Sequence, residues 1–516
     1  MIRMMKARYL ILFFLFCCSY TTFAQEPADA LRYSFLTQFG GTARNQAIGG
    51  AGGALGGEFT SMFINPAGLG FYKTGDFVFT PSFSFQNSKS NYLNTPASAK
   101  NNSFSIGTTG FILASPSQQE KSMRGMSIGF GINRAADFNN HVYYKATNKN
   151  SSASEQYLEQ LINDNVTDPN VAANNYPDGA SLAFNTYLID TVQNPDLSVR
   201  GYRTQANPAT GLIQESNINT RGGITDAALG IAFNVQDKWY FGGTLTFPFL
   251  SYHRESNYEE TDASDLTNNN FNYYESNETL DTKGVGINGK FGVIFKPIED
   301  LRIGLAYHTP TGYQLTDDYN NEIITDLDGY GGAGIKHQSS TDLNGGQLLE
   351  SKYKLTTPGR LILSGSVVLR ETQNVENQRG FISADVEYVN YKNSSFHDVT
   401  NTASTKSYYG VLNGVIDNLY KNAINARLGG ELKFNTIMFR LGGAYYGNPY
   451  QNESADLFKI AGGLGYRNHG MFIDLTYVYS MNKDINYPYV LEDKPNYPTY
   501  LKNNVGSIVA TIGFKL

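Results

Sequence analysis

Segments in which every second residue is apolar recur from residue 77 to the C-terminus, and this period of two limits the possible folds more than any other feature. In Phe77-Val78-Phe79-Thr80-Pro81-Ser82-Phe83-Ser84-Phe85 the odd positions are bulky and the even ones are small or polar. Met126, Ile128, Phe130 and Ile132 alternate with Ser127, Gly129, Gly131 and Asn133, and Leu229, Ile231, Phe233 and Val235 alternate with Gly230, Ala232 and Asn234. The rhythm returns at 285–295, 301–307, 424–434 and 471–479, and Ile508, Ala510, Ile512, Phe514 and Leu516 share one face at the end of the chain. Successive side chains of a strand point to opposite faces, so each segment reads as a strand with an apolar neighbour on one side only. In a sandwich that neighbour is a protein core; in a transmembrane barrel it is lipid.

The connections separate the two cases. Strands read at 77–86, 103–113, 123–147, 225–236, 239–250, 283–296, 301–314, 351–370, 381–391, 421–434, 437–446, 457–467, 471–480 and 504–516 are joined by long and short segments in turn. Long outer loops and short periplasmic turns give a barrel that asymmetry, and an even strand count puts both ends on one side. The expectation is an all-β protein: a 14-stranded antiparallel transmembrane β-barrel over 76–516, with its largest outer loop at 148–224. The 36 Tyr and 32 Phe suit the aromatic girdles of such a wall, with Trp239, after the turn Asp237-Lys238, among them. Within the long loop, Ser154 to Asn163 has Tyr157, Leu158 and Leu161 at helical spacing, which predicts a short helix at the barrel mouth.

The N-terminus reads as an export signal. Arg3, Lys6 and Arg8 precede an apolar run from Tyr9 to Cys18, and Thr22-Phe23-Ala24 offers a cleavage site before Gln25. The run is shorter than the roughly 20 residues of a spanning helix, and neither Cys17 nor Cys18 follows a lipobox. Cleavage after 24 removes three basic and no acidic residues, so the net charge of −6 becomes −9, and it removes both cysteines. Disulfides, thiolate nucleophiles and Cys-ligated metals are thereby excluded from residues 25–516, and the acidic balance disfavours nucleic acid.

Residues 25–75 do not alternate. They hold an apolar stretch, Leu31-Arg32-Tyr33-Ser34-Phe35-Leu36 with Phe39, then a glycine-dense run at 49–57, then Phe59-Thr60-Ser61-Met62-Phe63-Ile64-Asn65-Pro66-Ala67-Gly68-Leu69. A segment this small cannot bury its own core, so it needs a larger body, and the barrel lumen is the host expected for this N-terminal plug. In the third strand the alternation breaks at Asn133, Arg134, Ala135, Ala136 and Asp137. Two readings stand: a bulge that opens the wall, or a strand that ends there above the membrane. By strand phase Lys290, Arg302, Arg427 and Arg440 point inward with Glu431, Asp385, Glu387 and Asp474, so most are expected in salt bridges, with one or two basic members available to a ligand carboxylate.

The chain resembles the FadL family of outer-membrane transporters for long-chain fatty acids and other hydrophobic compounds. The likeness is carried by the glycine-rich run, by Asn65-Pro66-Ala67-Gly68-Leu69 just before the first strand, and by Asn133-Arg134 with Asp137-Phe138. Lys296-Pro297 with Leu301 to Pro310, Thr357-Pro358 with Arg360, and Ile382-Ser383-Ala384-Asp385 with Glu387, Tyr388 and Tyr391 add to it. The family's acidic Asp-Ala-Ser before the motif is here Glu58-Phe59-Thr60-Ser61, which leaves Glu58 to supply that contact. The resemblance implies a plugged barrel of the bacterial outer membrane that takes up hydrophobic small molecules, fatty acids first and haem or aromatic hydrocarbons as alternatives. Release is expected sideways, through a gap at the third-strand kink. Further implied are lipid contact, insertion by the barrel-assembly machinery, a monomeric state, and no cofactor. Asn65 to Leu69 read either as a gate that ligand releases or as a stiff connector into the first strand.

Other chemical signals are weak. Gly125-Met126-Ser127-Ile128-Gly129 matches a nucleophile-elbow pattern but lies inside an alternating strand rather than a strand-turn-helix, so a membrane hydrolase or acyltransferase is a rival reading only. The six histidines form neither HxxxH nor HExxH, Asp326-Leu327-Asp328-Gly329 lacks the other ligands of a calcium loop, and Gly50 and Gly52 start a dinucleotide pattern that fails at Leu55. A surface adhesin is favoured only by the length of the 148–224 loop.

Overall fold

Every alternating segment is extended in the computed structural model, which describes residues 25–35, 40–116, 123–196, 198–264, 269–332, 334–369, 379–399, 402–453 and 455–516. The expected signal peptide at 1–24 lies outside these residues, as do Leu36 and Phe39. The strands are β1 Asp76–Tyr92, β2 Thr95–Pro116, β3 Met123–Asp137 continuing as Asn140–Asn148, β4 Leu212–Val235, β5 Trp239–Asp262 and β6 Tyr273–Ile298. Then follow β7 Leu301–His308 with Thr311–Asp326, β8 Leu349–Thr357 with Arg360–Leu369, β9 Gly380–Asn390, β10 Asn422–Phe434, β11 Ile437–Tyr446, β12 Leu457–Asn468, β13 Met471–Asn486 and β14 Thr499–Lys515. Each is antiparallel to its neighbours, and β1 pairs with β14 from Asp76–Lys515 to Asn91–Tyr500, so fourteen strands close into a cylinder without a free edge. β7 and β8 are interrupted side by side at Pro310 and Pro358, which have no N–H to give to the ladder.

The two faces of the wall sort as the alternation requires. On β11 and β10, outward Leu441 and Leu428 are 73% and 60% exposed, whereas inward Arg440 and Arg427 are buried. Trp239 stacks on Phe295 with centroids 4.2 Å apart at the periplasmic edge, after a turn of three residues, Gln236 to Lys238, rather than two. No helix of the described residues is long and apolar enough to cross a membrane.

The strands run further outward than the alternation shows. The first connection, expected to be long, is the tight turn Leu93-Asn94 with φ of 47° and 64°, a hairpin geometry that matches strand twist. The β4–β5 ladder continues from Val235–Trp239 out to Leu212–Asp262, which reduces the expected 148–224 loop to residues 149–211. Beyond the lipid belt the outward face meets water and the inward face carries buried polar residues such as Gln214, Ser216 and Glu260, so the apolar period vanishes while the hydrogen-bond ladder persists. The predicted loop helix is Glu155–Asn163, with Tyr157 and Leu161 buried against a cap that includes Tyr258, Tyr274 and Tyr489.

A charge placed on the outward face at mid-belt is expected to destabilise the barrel. Leu441→Arg should lower the unfolding free energy in lipid by about 2–4 kcal/mol, read from urea unfolding in liposomes.

Candidate functional site

The residues before β1 fold inside the cylinder as short helices, α1 Pro27–Phe35, α2 Ala43–Ala47 and α3 Ser61–Ile64, followed by a 3₁₀ segment, Pro66–Phe71. Thr42 caps α2 by accepting from Asn45 N at 3.3 Å. Glu58 holds the turn between α2 and α3, accepting from Thr42 Oγ1 and, at 2.7 Å, from Thr60 N. A plug of so few turns leaves many backbone groups without internal partners, and the wall supplies them. Ala43 N donates to Thr511 Oγ1 and Ala43 O accepts from Thr476 Oγ1, both at 2.7 Å. Gly53 N donates to Asp385 Oδ2 at 3.1 Å, His308 Nε2 lies 2.8 Å from Ile64 O, and Arg302 donates to Leu55 O.

Asn65, Pro66, Ala67, Gly68 and Leu69 form the tightest part of this contact. Asn65 is 1% exposed; its Nδ2 donates to Gly53 O at 2.6 Å and to Val293 O at 3.4 Å, while its Oδ1 accepts from Ala67 N at 3.2 Å. Pro66 sits at the start of the 3₁₀ segment, where a missing N–H costs nothing. The seat is made by glycines of the inward face: a Cβ at Gly292 would lie 1.9 Å from Asn65 Oδ1, and one at Gly242 would lie 2.3 Å from the carbonyl carbon of Pro66. Leu69 is fully buried with Phe59, Met62, Phe63 and Tyr72.

The four inward basic residues are all buried and all engaged. Lys290 pairs with Asp226 at 3.2 Å and lies 5.3 Å from the Phe63 ring centroid. Arg302 lies over Phe71 of the plug at 4.5 Å. Arg427 bonds Glu387 at 2.9 Å with Asp385 at 3.9 Å, and Arg440 bonds both Glu431 and Asp474 at 2.6 Å. Glu431 also receives Arg44 from the plug at 3.3 Å. These charges therefore brace the wall and hold the plug, as buried ions must be paired. Arg44, Thr476, Thr511 and His308 make plug–wall contacts that the sequence reading did not single out; for the three on strands the signal present was a small polar or basic residue at an inward phase.

The break in β3 has a defined geometry. The β2–β3 ladder runs from Pro116–Gly125 to Thr108–Asn133 and, among the described residues, stops there. On the other side β3 stays paired with β4, with a register shift between Arg134 and Ala136 that leaves Ala135 as the extra residue of a bulge. Pairing with β4 resumes at Asn140–Thr220 and continues to Asn148–Leu212. β2 is irregular at the same level: Thr80 pairs with Thr108 and Pro81 with Ile106, skipping Gly107. Above Asn133 side chains link outer β3 to the first hairpin, Gln86 Nε2 to Asn140 Oδ1 and Ser90 Oγ to Tyr143 O at 2.5 Å each. Asn133 is itself buried at the foot of this seam, and its Oδ1 accepts from Thr108 Oγ1 at 2.7 Å and from Gly41 N of the plug at 3.0 Å. Arg134 donates to Gly222 O and, at 3.4 Å, to Thr225 Oγ1; Ala136 and Phe138 turn inward, with Phe138 5.7 Å from Tyr33 of α1; Asp137 points out and accepts from Asn139 N at 2.9 Å.

The family model for the outer membrane protein transport protein family (OMPP1/FadL/TodX) matches residues 208–494, more than half of the chain. The chain belongs to this family. No curated protein matches its sequence. Among solved structures, a Pseudomonas aeruginosa FadL homologue is 12% identical, covers 96% of this chain and 99% of its own, and superposes with a TM-score of 0.52, a likeness of fold. The Pseudomonas putida toluene transporter TodX (11% identity, 92% and 98% coverage, TM-score 0.49) and the Ralstonia pickettii toluene transporter TbuX (14%, 93% and 99%, 0.48) are also similar. This member of the FadL/TodX family is thus a bacterial outer-membrane β-barrel of the class that transports hydrophobic compounds, and it is not an enzyme. Ser127 of the elbow-like motif is 2% exposed within β3 opposite Ala232.

The seat of the plug has no room for a side chain. Gly292→Ala is expected to displace Asn65 and loosen the plug, raising conductance in planar bilayers and speeding proteolysis within residues 25–75. Gly365→Ala, whose added Cβ would meet nothing within 4 Å, should leave both unchanged.

Proposed function

We propose that this protein admits hydrophobic small molecules, long-chain fatty acids foremost, by diffusion, and that they leave sideways between β2 and β3. The observation that supports the reading most directly is the loss of the β2–β3 ladder at Thr108–Asn133 beside a bulge at Ala135. An apolar solute that crossed a water-filled channel would have to rehydrate its surface at about 25 cal/mol per Å², whereas a side exit delivers it to hydrocarbon. The seam is also where the plug takes hold of the wall, because Gly41 N shares Asn133 Oδ1 with Thr108. Movement of the plug backbone at Gly41 thus releases a bond at the foot of the seam, which gives Asn65 to Leu69 and Asn133 to Asp137 a common role in gating.

In the same proposal residues 1–24 are a cleaved export signal, 25–75 the plug, and 76–516 the barrel, which is inserted by the barrel-assembly machinery and works as a monomer in lipid. Uptake of radiolabelled oleate by cells carrying the gene is expected to exceed that of deletion cells. Removing Ala135 takes out the extra residue of the bulge, and should cut the initial uptake rate about tenfold or more while the barrel still folds, as judged by heat-modifiable migration. Full uptake by the folded deletion variant would overturn the sideways exit, and uptake of haem or toluene in place of oleate would reassign the ligand.

A further inference from the structure

Three lysines stand side by side on the outer surface of the barrel. Lys89 of β1 lies directly opposite Lys502 of β14, and Lys502 lies directly opposite Lys483 of β13, so the three occupy one cross-strand row. All are exposed, while Ser88, Ser90, Leu501 and Asn503 beside them in sequence are buried toward the lumen, so the lysines share the lipid-facing phase. Nearer the periplasm that phase carries Phe85, Ile508 and Tyr477, all exposed, and it has turned polar by the level where Asn87 pairs with Asn504. The row therefore sits just above the apolar belt, at the end of the barrel away from the chain termini, where the headgroups of the outer leaflet lie. Lys100 of β2, opposite Asn87, adds a fourth exposed ammonium one diagonal from Lys89.

Residues directly opposite on neighbouring strands have Cα atoms about 4.5–5.5 Å apart, and like charges placed so repel. Elsewhere on the outward face a carboxylate answers the cation: Lys145 meets Glu215 at 2.6 Å across β3 and β4, Lys352 meets Glu350 at 2.7 Å, and Arg221 lies 3.5 Å from Glu255. Among the described residues no carboxylate forms an ion pair with Lys89, Lys100, Lys483 or Lys502. Asp456, whose backbone O accepts from Lys483 N, has its carboxylate bonded to Tyr445 Oη at 3.2 Å. The counter-charge for the row must then come from outside the chain, and at this height the surroundings are lipid headgroups. Anionic headgroups attract basic clusters at a membrane surface, and a lysine ammonium binds phosphate as a compact point charge while its stem lies along apolar surface. We propose that Lys89, Lys483 and Lys502, flanked by Lys100, bind the phosphate of an outer-leaflet lipid whose acyl chains run down the wall over Phe85, Ile508 and Tyr477. The inference concerns the outer face of the wall and is independent of what passes through the lumen.

The test is equilibrium binding of radiolabelled phosphorylated lipid A, and of the same lipid A after dephosphorylation, to the purified full-length barrel in a non-ionic detergent. Wild type binds the phosphorylated form about tenfold or more tightly, the size expected for hydrogen bonds between charged groups. The triple variant Lys89→Gln, Lys483→Gln, Lys502→Gln loses that preference and keeps the affinity for the dephosphorylated lipid, while Lys145→Gln with Lys352→Gln, which removes cations elsewhere on the same face, changes neither. If the triple variant does not reach the heat-modifiable folded form, Lys502→Gln alone, at the centre of the row, carries the test with a loss of about threefold or more. Equal wild-type affinity for the two lipids overturns the inference without reference to any variant. So does undiminished binding of phosphorylated lipid A by the folded triple variant or, where only that one folds, by Lys502→Gln. An equal loss in the Lys145 and Lys352 control also overturns it, since it would assign the effect to net surface charge. Displacement of lipid A by inorganic phosphate at about 1 mM would show a site for free phosphate and overturn the lipid assignment.

Discussion

Inside hydrocarbon no water is available to a backbone N–H or C=O, so a chain that crosses the membrane must bond every such group to itself. The β1–β14 ladder meets that demand by leaving the sheet no edge. The rest of the structure follows from closure. Fourteen strands enclose a lumen wider than their own side chains can fill, so a second body has to occupy it. The plug does so, and because it is made of short helical turns it must find partners on the wall for the backbone groups its own turns leave open. Thr511, Thr476, Asp385, Asn133, His308 and Arg302 supply them.

The inner wall combines two devices that serve different ends. Glycine positions on β5 and β6 let the plug backbone approach to contact distance, which orients Asn65 and Pro66 without any charge. Ion pairs on β9 to β13 join strands to each other and, through Arg44 and Glu431, to the plug. Removal of one member of such a buried set leaves the other charged and unpaired, which costs about 3–5 kcal/mol. Near the glycine seat the Lys290–Asp226 pair adds a third brace, and Asp226 lies opposite Asn133, which ties the foot of the β2–β3 seam to the plug through neutral hydrogen bonds.

Much of this was legible beforehand for a local reason. The period of two states which side chains face lipid, so the inward phase of Arg427, Arg440, Glu387 and Asp474 followed from counting. The fault at Asn133 to Asp137 was visible because a bulge breaks that count, and the helix at Glu155–Asn163 because Tyr157 and Leu161 keep a helical spacing. What escaped were the outer halves of the long hairpins. There the outward faces of Ile213 to Asn219 and Arg254 to Thr261 are mostly polar and the inward ones include Gln214, Ser216 and Glu260, so no apolar rhythm marks the ladder.

From the order of its residues alone this protein was committed to an outward apolar belt, an even number of strands, and an N-terminal segment unable to fold without a host, since each of these depends on neighbours a few positions apart. The tertiary structure alone decided which inward charges are satisfied. Arg44 meets Glu431 across 387 positions, and Asn133 meets Gly41 across 92, so their pairing depends on barrel register and on where the plug lodges. Electrostatic compensation is set by distance in space, and the hydrophobic period by distance along the chain.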